Sequence, residues 1–314
     1  NLKQMGIIFK MYSNESRGGK FPTCNRYNQN GPGGAGPWRT LDGAALYPEY
    51  MTDLKIRVCP SSARMDPEAM ELTHQKILEG DPNGELELWW GNSPRGAGPR
   101  VGRETGPFTK AQAENTAKRW TGIGVSYGYF PWTILNDDNL LFMRNSWFNP
   151  TYMNGNGGSR AQRIDSDLDL NAMGFGGDHG KVITQISSQA NRLNGLPIPV
   201  NEHPRVLGVG GGRVLYRLKD GIERFFITDI NNPAGSAEAQ SSIPVSMDSF
   251  AYAPAGSSHG TRFNHPPGGC NVLYMDGHVE FIKYAVGGDS TGRFPVTTYA
   301  AVERIGGYGG SNLI

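Results

Sequence analysis

A chain of 314 residues is long enough for one large or two modest domains with a real core, but only 37% of it is apolar and 19% charged, so loops and turns take up much of it. Its formal net charge of +1 excludes the broad positive field that nucleic acid or an anionic membrane surface demands, and no run of about 18 apolar residues is present to span a bilayer. Three cysteines, Cys24, Cys59 and Cys270, are too few and too scattered for a disulfide scaffold or a zinc site; one disulfide plus a leftover thiol is an arrangement still open to them, and spacing does not choose the pair.

The first element is a helix. Leu2, Met5, Ile8, Phe9 and Tyr12 recur at three- and four-residue intervals and form one apolar stripe, with Lys3, Gln4 and Lys10 away from it. Gly18 and Gly19 stop the helix, and Phe21-Pro22 begins an extended stretch. The chain opens on Asn with no residue before it to cap the helix, which predicts a helix cut in its middle and a segment removed upstream. Glycine-rich stretches at Gly31–Gly36, Gly155–Gly158 and Gly306–Gly310 read as long surface loops; the 44 glycines are about twice the usual share of ~7%.

A short helical stretch is predicted around Ala44–Met51, then a strand over Leu54–Val58 ending at Cys59-Pro60. Asp66-Pro67-Glu68 is a helix start, with Asp as cap and Pro in the first turn, and Gly80 is its stop. A further helix is predicted at Lys110–Trp120, and the aromatic-rich residues 121–150 favour strands. Gly208–Gly212 lacks the Lys-Ser/Thr ending of a phosphate cradle and reads as a linker. Two hairpins follow. In the first, Val214–Leu218 and Ile222–Ile227 flank Lys219-Asp220-Gly221; in the second, Val272–Met275 and His278–Ile282 flank a two-residue Asp276-Gly277 turn.

Candidate chemistry is sparse. His265 and Asp276 suggest a hydrolase dyad, but Asp276 has a local backbone role in its turn and no nucleophile stands in an elbow context, so the reading is not an enzyme. Asp165, Asp167 and Asp169 alternate like the start of a calcium loop; Leu170 and Gly176 then break the pattern, and alternation equally places these acids on one solvated strand face. The six histidines show no helical metal-ligand spacing, although His259, His265 and His278 lie close in sequence. Trp89, Trp90, Trp120, Trp132 and Trp147 are the stacking platforms that a carbohydrate-binding module would use, or ordinary core residues.

Two ends of the chain carry a resemblance. Asn1-Leu2-Lys3-Gln4-Met5-Gly6, with Tyr12 and Phe21-Pro22 beyond it, resembles the middle of the first helix in bacterial type IV pilin-like (pseudopilin) proteins. The run His265 to Asp276-Gly277, containing Asn271, resembles that family's C-terminal His-x9-Asp-Gly motif. Here ten residues, not nine, separate His265 from Asp276, as an extra Pro in the loop would explain. Tyr47-Pro48-Glu49-Tyr50, Cys59-Pro60-Ser61, Ser126-Tyr127-Gly128-Tyr129 and the run from Leu218 to Pro244 also resemble the family.

The resemblance implies an α+β, pilin-like fold: an N-terminal helix packed on an antiparallel sheet with long Gly-rich insertions. Residues 1–20 would be the C-terminal half of the prepilin-type helix and 21–314 a single β-rich head. His265, Asn271, Asp276 and Gly277 would be structural motif residues, and Leu2, Met5, Ile8, Phe9 and Tyr12 the assembly face. It implies a structural subunit of an extracytoplasmic pilus-like or pseudopilus-like filament, partnered by copies of itself or related subunits. Such a subunit would be extracellular, or periplasmic before assembly, and would meet the membrane only through a preceding segment. A secreted carbohydrate- or surface-polymer-binding module is the alternative. The resemblance implies no cofactor; calcium is suggested only by the alternation of Asp165, Asp167 and Asp169.

Overall fold

Helix α1 runs Leu2–Glu15 and buries Leu2, Met5, Ile8 and Phe9, the stripe that the spacing predicts, with Tyr12 half-buried beside them. It ends at Ser16, and the chain then reverses through Gly18 and Gly19 at φ 80° and 64°, a region open to glycine at little cost. The computed structural model describes residues 1–23, 41–62, 66–80, 109–110, 113–114, 117, 121, 126–137, 139–140, 165–169, 209, 214–226, 239–251, 262–265, 268–284 and 293–297.

Under α1 lies a four-stranded antiparallel sheet. Its strands are β1 (Tyr127–Tyr129), β4 (Pro244–Asp248), β7 (Gly269–Tyr274) and β8 (Val279–Lys283), hydrogen-bonded in the order β1-β4-β7-β8. Two small pairs accompany it: β2 (Leu168–Asp169) with β3 (Val214–Leu215), and β5 (Phe250–Ala251) with β6 (Arg262–Phe263). Gly6 sets the approach of helix to sheet, because a Cβ there would stand 3.1 Å from Leu273 Cδ1 of β7. The fold is therefore α+β, with a helix on an antiparallel sheet.

Helix α2 (Pro67–Glu79) starts and stops where its punctuation places it: Asp66 Oδ1 accepts from Glu68 N at 2.7 Å, and Gly80 turns at φ 84°. It buries Met70, His74 and Ile77. His74 sits edge-on to Tyr47, its Nε2 finds no hydrogen-bond partner among the described residues, and burial holds its pKa below the ordinary histidine value. A histidine whose folded-state pKa is depressed adds stability above its unfolded pKa of ~6.5 and loses it as pH falls through the folded value. Thermal melts between pH 8 and pH 5 are expected to fall on the acid side, and His74→Leu should flatten that part of the slope.

Three local expectations are corrected. Leu54–Arg57 is a 3-10 turn, not a strand: the Asp53 carboxylate accepts from Lys55 N at 2.9 Å and starts a helical turn, and Leu54, Ile56 and Arg57 are all buried, without alternation. The stretch around Ala44–Met51 is likewise a 3-10 turn at Gly43–Ala45 followed by hydrogen-bonded turns. Ile222–Phe225 is a 3-10 turn too, so the first hairpin is absent. Its Asp220 carboxylate is taken by Lys10 Nζ and Ser13 Oγ of α1, both at 2.8 Å, and Asp220 N donates to Gly19 O. The Asp-Gly turn thus docks the chain against the end of α1, and β3 pairs instead with β2.

The second hairpin is present as β7-β8, with a loop one residue longer than expected. Tyr274 N donates to His278 O and Gly277 N to Tyr274 O, which leaves Met275-Asp276-Gly277 as a three-residue loop whose Gly277 takes φ 92°. Of the Lys110–Trp120 helix, Ala113 and Ala117 are helical and buried, and Thr121 is still helical. In the aromatic stretch, Tyr127–Tyr129 is a strand and Trp132 bridges Arg217. The Gly-rich stretches at 31–36, 155–158 and 306–310, residues 141–150 and all of Gly208–Gly212 but Val209 lie outside the described residues.

Candidate functional site

At the end of β4 the chain places Asp248, a carboxylate only 1% exposed, at the close of an otherwise neutral buried strand. Its neighbour β7 presents Asn271, whose backbone N and side-chain Nδ2 both donate to Asp248 Oδ2, at 2.7 and 2.8 Å. His265 stands in the turn between β6 and β7, where Gly268 N donates to His265 O and Gly268 takes φ 131°. That turn brings His265 Nε2 to 3.1 Å from Asp248 Oδ2 and 3.1 Å from Asn271 Nδ2.

The fourth member comes from far away in sequence. Cys59 follows the Leu54–Arg57 turn, and its Sγ is 3.3 Å from His265 Nε2. Asn1 Nδ2 donates to Val58 O at 2.8 Å, and Tyr127 of β1 lies beside the side chains of both Asn1 and Cys59. Asn1, the residue before α1, is therefore tied to the segment that carries Cys59. Cys59 and Asp248 are buried, while the His265 side chain keeps 27% of its surface exposed, so solvent reaches the group from the histidine.

Burial dominates the electrostatics. It pushes the Asp248 carboxyl above its usual range, against the opposing pull of Asn271 N–H and His265. It also pushes the Cys59 thiol and the Tyr127 phenol up. Cys270, adjacent to Asn271 but turned into the core, is held well above its usual value by burial, and neither it nor Cys59 is in a disulfide.

Cysteine, histidine and carboxylate together suggest a nucleophilic triad, but the geometry differs from one. In a triad the base uses one ring nitrogen for the nucleophile and the other for the carboxylate. Here Cys59 and Asp248 both approach the same nitrogen, Nε2. The ligand atoms of Cys59, Asp248 and His265 all lie within 4.8 Å of one another, the one such grouping among the described residues.

The residues singled out from sequence separate into groups. His265 and Asn271 meet in this cluster. Asp276 and Gly277 stand in the β7-β8 loop, where Asp276 Oδ1 accepts from His278 N at 3.0 Å and lies 2.6 Å from His278 Nδ1. The carboxylate beside His265 is thus Asp248. Asp165 pairs with Lys20 at 3.0 Å and lies 3.6 Å from Arg217 Nε, and Asp167 Oδ1 accepts from Arg217 N. These carboxylates face protein donors; Asp169 lies in β2 and its side chain is outside the described residues.

Trp132 is fully buried, with Nε1 donating to Ser166 O, so it offers no platform for a sugar ring; Trp89, Trp90, Trp120 and Trp147 lie outside the described residues, as do Cys24 and His259. Asp248 is unmarked in the sequence reading, and Cys59 enters it only as one of three scattered cysteines and within Cys59-Pro60-Ser61, not as a partner of His265. An acid closing the buried run Pro-Val-Ser-Met was the available sign for the first; nothing local pairs the second with the histidine. No family model, no curated protein and no solved structure matches the chain.

Proposed function

We propose that the protein is a structural subunit of an extracytoplasmic pilus-like or pseudopilus-like filament, and not an enzyme. The observation that carries this reading is the two-faced character of α1. One face, Leu2, Met5, Ile8 and Phe9, is spent on the protein's own sheet, while Ile7 and Met11, one turn apart, are 62% and 47% exposed. A helix with apolar residues left outside its intramolecular contact has the surface that a filament core or a neighbouring subunit would cover. Among the described residues no helix is long and apolar enough to cross a membrane.

The partners are copies of the same chain or related subunits, and the location is the cell surface, or the periplasm before assembly. Electron microscopy of the full gene product expressed in a pilus-bearing bacterium tests this. Filaments labelled by an antibody to the head are expected, and Ile7→Asp/Met11→Asp should abolish them while leaving the thermal melt of the head within a few degrees. Unlabelled filaments, or labelled ones indifferent to the double substitution, would refute the reading.

A further inference from the structure

Cys59 Sγ, Asp248 Oδ2 and Asn271 Nδ2 crowd one ring nitrogen, His265 Nε2, at 3.3, 3.1 and 3.1 Å. With Nε2 protonated, its N–H and an Asn271 Nδ2–H donate to the same Asp248 oxygen. With Nε2 bare and the thiol ionised, the imidazole nitrogen, the carboxylate and the thiolate are three electron-pair donors close enough to share one cation.

We propose that Cys59, Asp248 and His265 form a three-ligand site for a single zinc-class divalent cation. The donor set selects the class: one thiolate, one imidazole and one carboxylate are ligands that zinc accepts together, whereas calcium and magnesium take oxygen. Contacts of 3.3 Å from sulfur to nitrogen and 3.1 Å from nitrogen to oxygen are close to those between ligands on a tetrahedral ion with bonds of ~2.0–2.3 Å. Asn271 is a positioning residue, since its two N–H bonds to Oδ2 hold the carboxylate as outer-shell partners of metal ligands do. Local Cys and His spacing carries no sign of this group, because its members come from three segments that meet only in the fold.

The consequence is a metal staple that binds the segment after Leu54–Arg57 to the end of β4 and to the turn before β7. Cys59 and Cys270 are not joined by a disulfide, so a metal would supply a cross-link that these thiols do not. The site is independent of the assembly reading and stands or falls separately from it.

Equilibrium dialysis of the chelator-treated protein against zinc, with elemental analysis, should return about one equivalent per chain. Asn271→Ala should weaken binding by about 10–100-fold. Cys59→Ser and His265→Gln should reduce it further, while Cys24→Ser should retain it. Cobalt gives a readout that needs no ligand substitution. In Cys24→Ser/Cys270→Ala, where Cys59 is the only thiol, a thiolate-to-cobalt charge-transfer band is expected. Failure of the wild-type protein to bind zinc or cobalt would overturn the proposal, and so would stoichiometric binding that survives Cys59→Ser or shows no thiolate band in the folded double variant.

Discussion

Arg217→Met is expected to lower the unfolding free energy by about 1–3 kcal/mol, read as a shift of the urea midpoint at unchanged slope. The guanidinium is 1% exposed and donates to three backbone carbonyls: Pro131 O at 2.6 Å, and Phe21 O and Pro22 O at 2.7 Å each. Tyr129 Oη shares the Pro22 carbonyl, also at 2.7 Å. Methionine keeps much of the volume but supplies no donor, so Phe21 O would be left with no partner among the described residues at a cost of about 1–3 kcal/mol, while Pro131 O keeps Leu218 N and Pro22 O keeps Tyr129 Oη. Arg217→Lys should recover only part of the loss, because an ammonium on a flexible stem does not reproduce the fixed fork that reaches both segments at once. An unchanged midpoint in Arg217→Met would mean that the chain after α1 is not held to the chain after β1 in this way.

The same arginine shows what sequence could and could not disclose. As a residue in a strand-like run, Val214 to Leu218, it reads as a solvated charge between apolar neighbours. It is buried because residues 21–22, 131 and 165–167 converge on it from elsewhere in the chain. Features governed by neighbouring residues were legible: the Asp66 cap and Gly80 stop of α2, the stripe of α1, the β7-β8 hairpin at Asp276-Gly277. Features governed by distant partners were not.

Ile222–Ile227 has the composition of a strand, but Asp220 is held by Lys10 and Ser13, and the chain that follows coils into a 3-10 turn. Leu54–Val58 has strand composition too, and the Asp53 cap overrode it. The site follows the same rule. His265 and Asn271 were visible as parts of one motif, six positions apart, whereas Cys59 lies 206 positions from the histidine. Asp248 reaches them only through the β4-β7 pairing, which sets Met247 beside Val272.

Phe9→Ala should cost about 3–5 kcal/mol, the range for emptying a buried aromatic position. Phe9 is 1% exposed, its ring centroid 5.2 Å from that of Tyr129 and 6.4 Å from that of Phe21, so it links α1 to β1 and to the segment leaving the helix. Ile7→Ala, on the outward face, should change stability by no more than about 0.5 kcal/mol. The contrast between two apolar residues two positions apart assigns the faces of the helix without any filament being formed. It also reaches the cluster, because Asn1 Nδ2 donates to the carbonyl of Val58, the residue before Cys59. Loosening α1 should therefore uncover that thiol. In a Cys24→Ser background, a thiol reagent is expected to label Cys59 faster in Phe9→Ala than in the parent or in Ile7→Ala. Equal labelling rates in all three would show that the helix and the cluster are not coupled through Asn1.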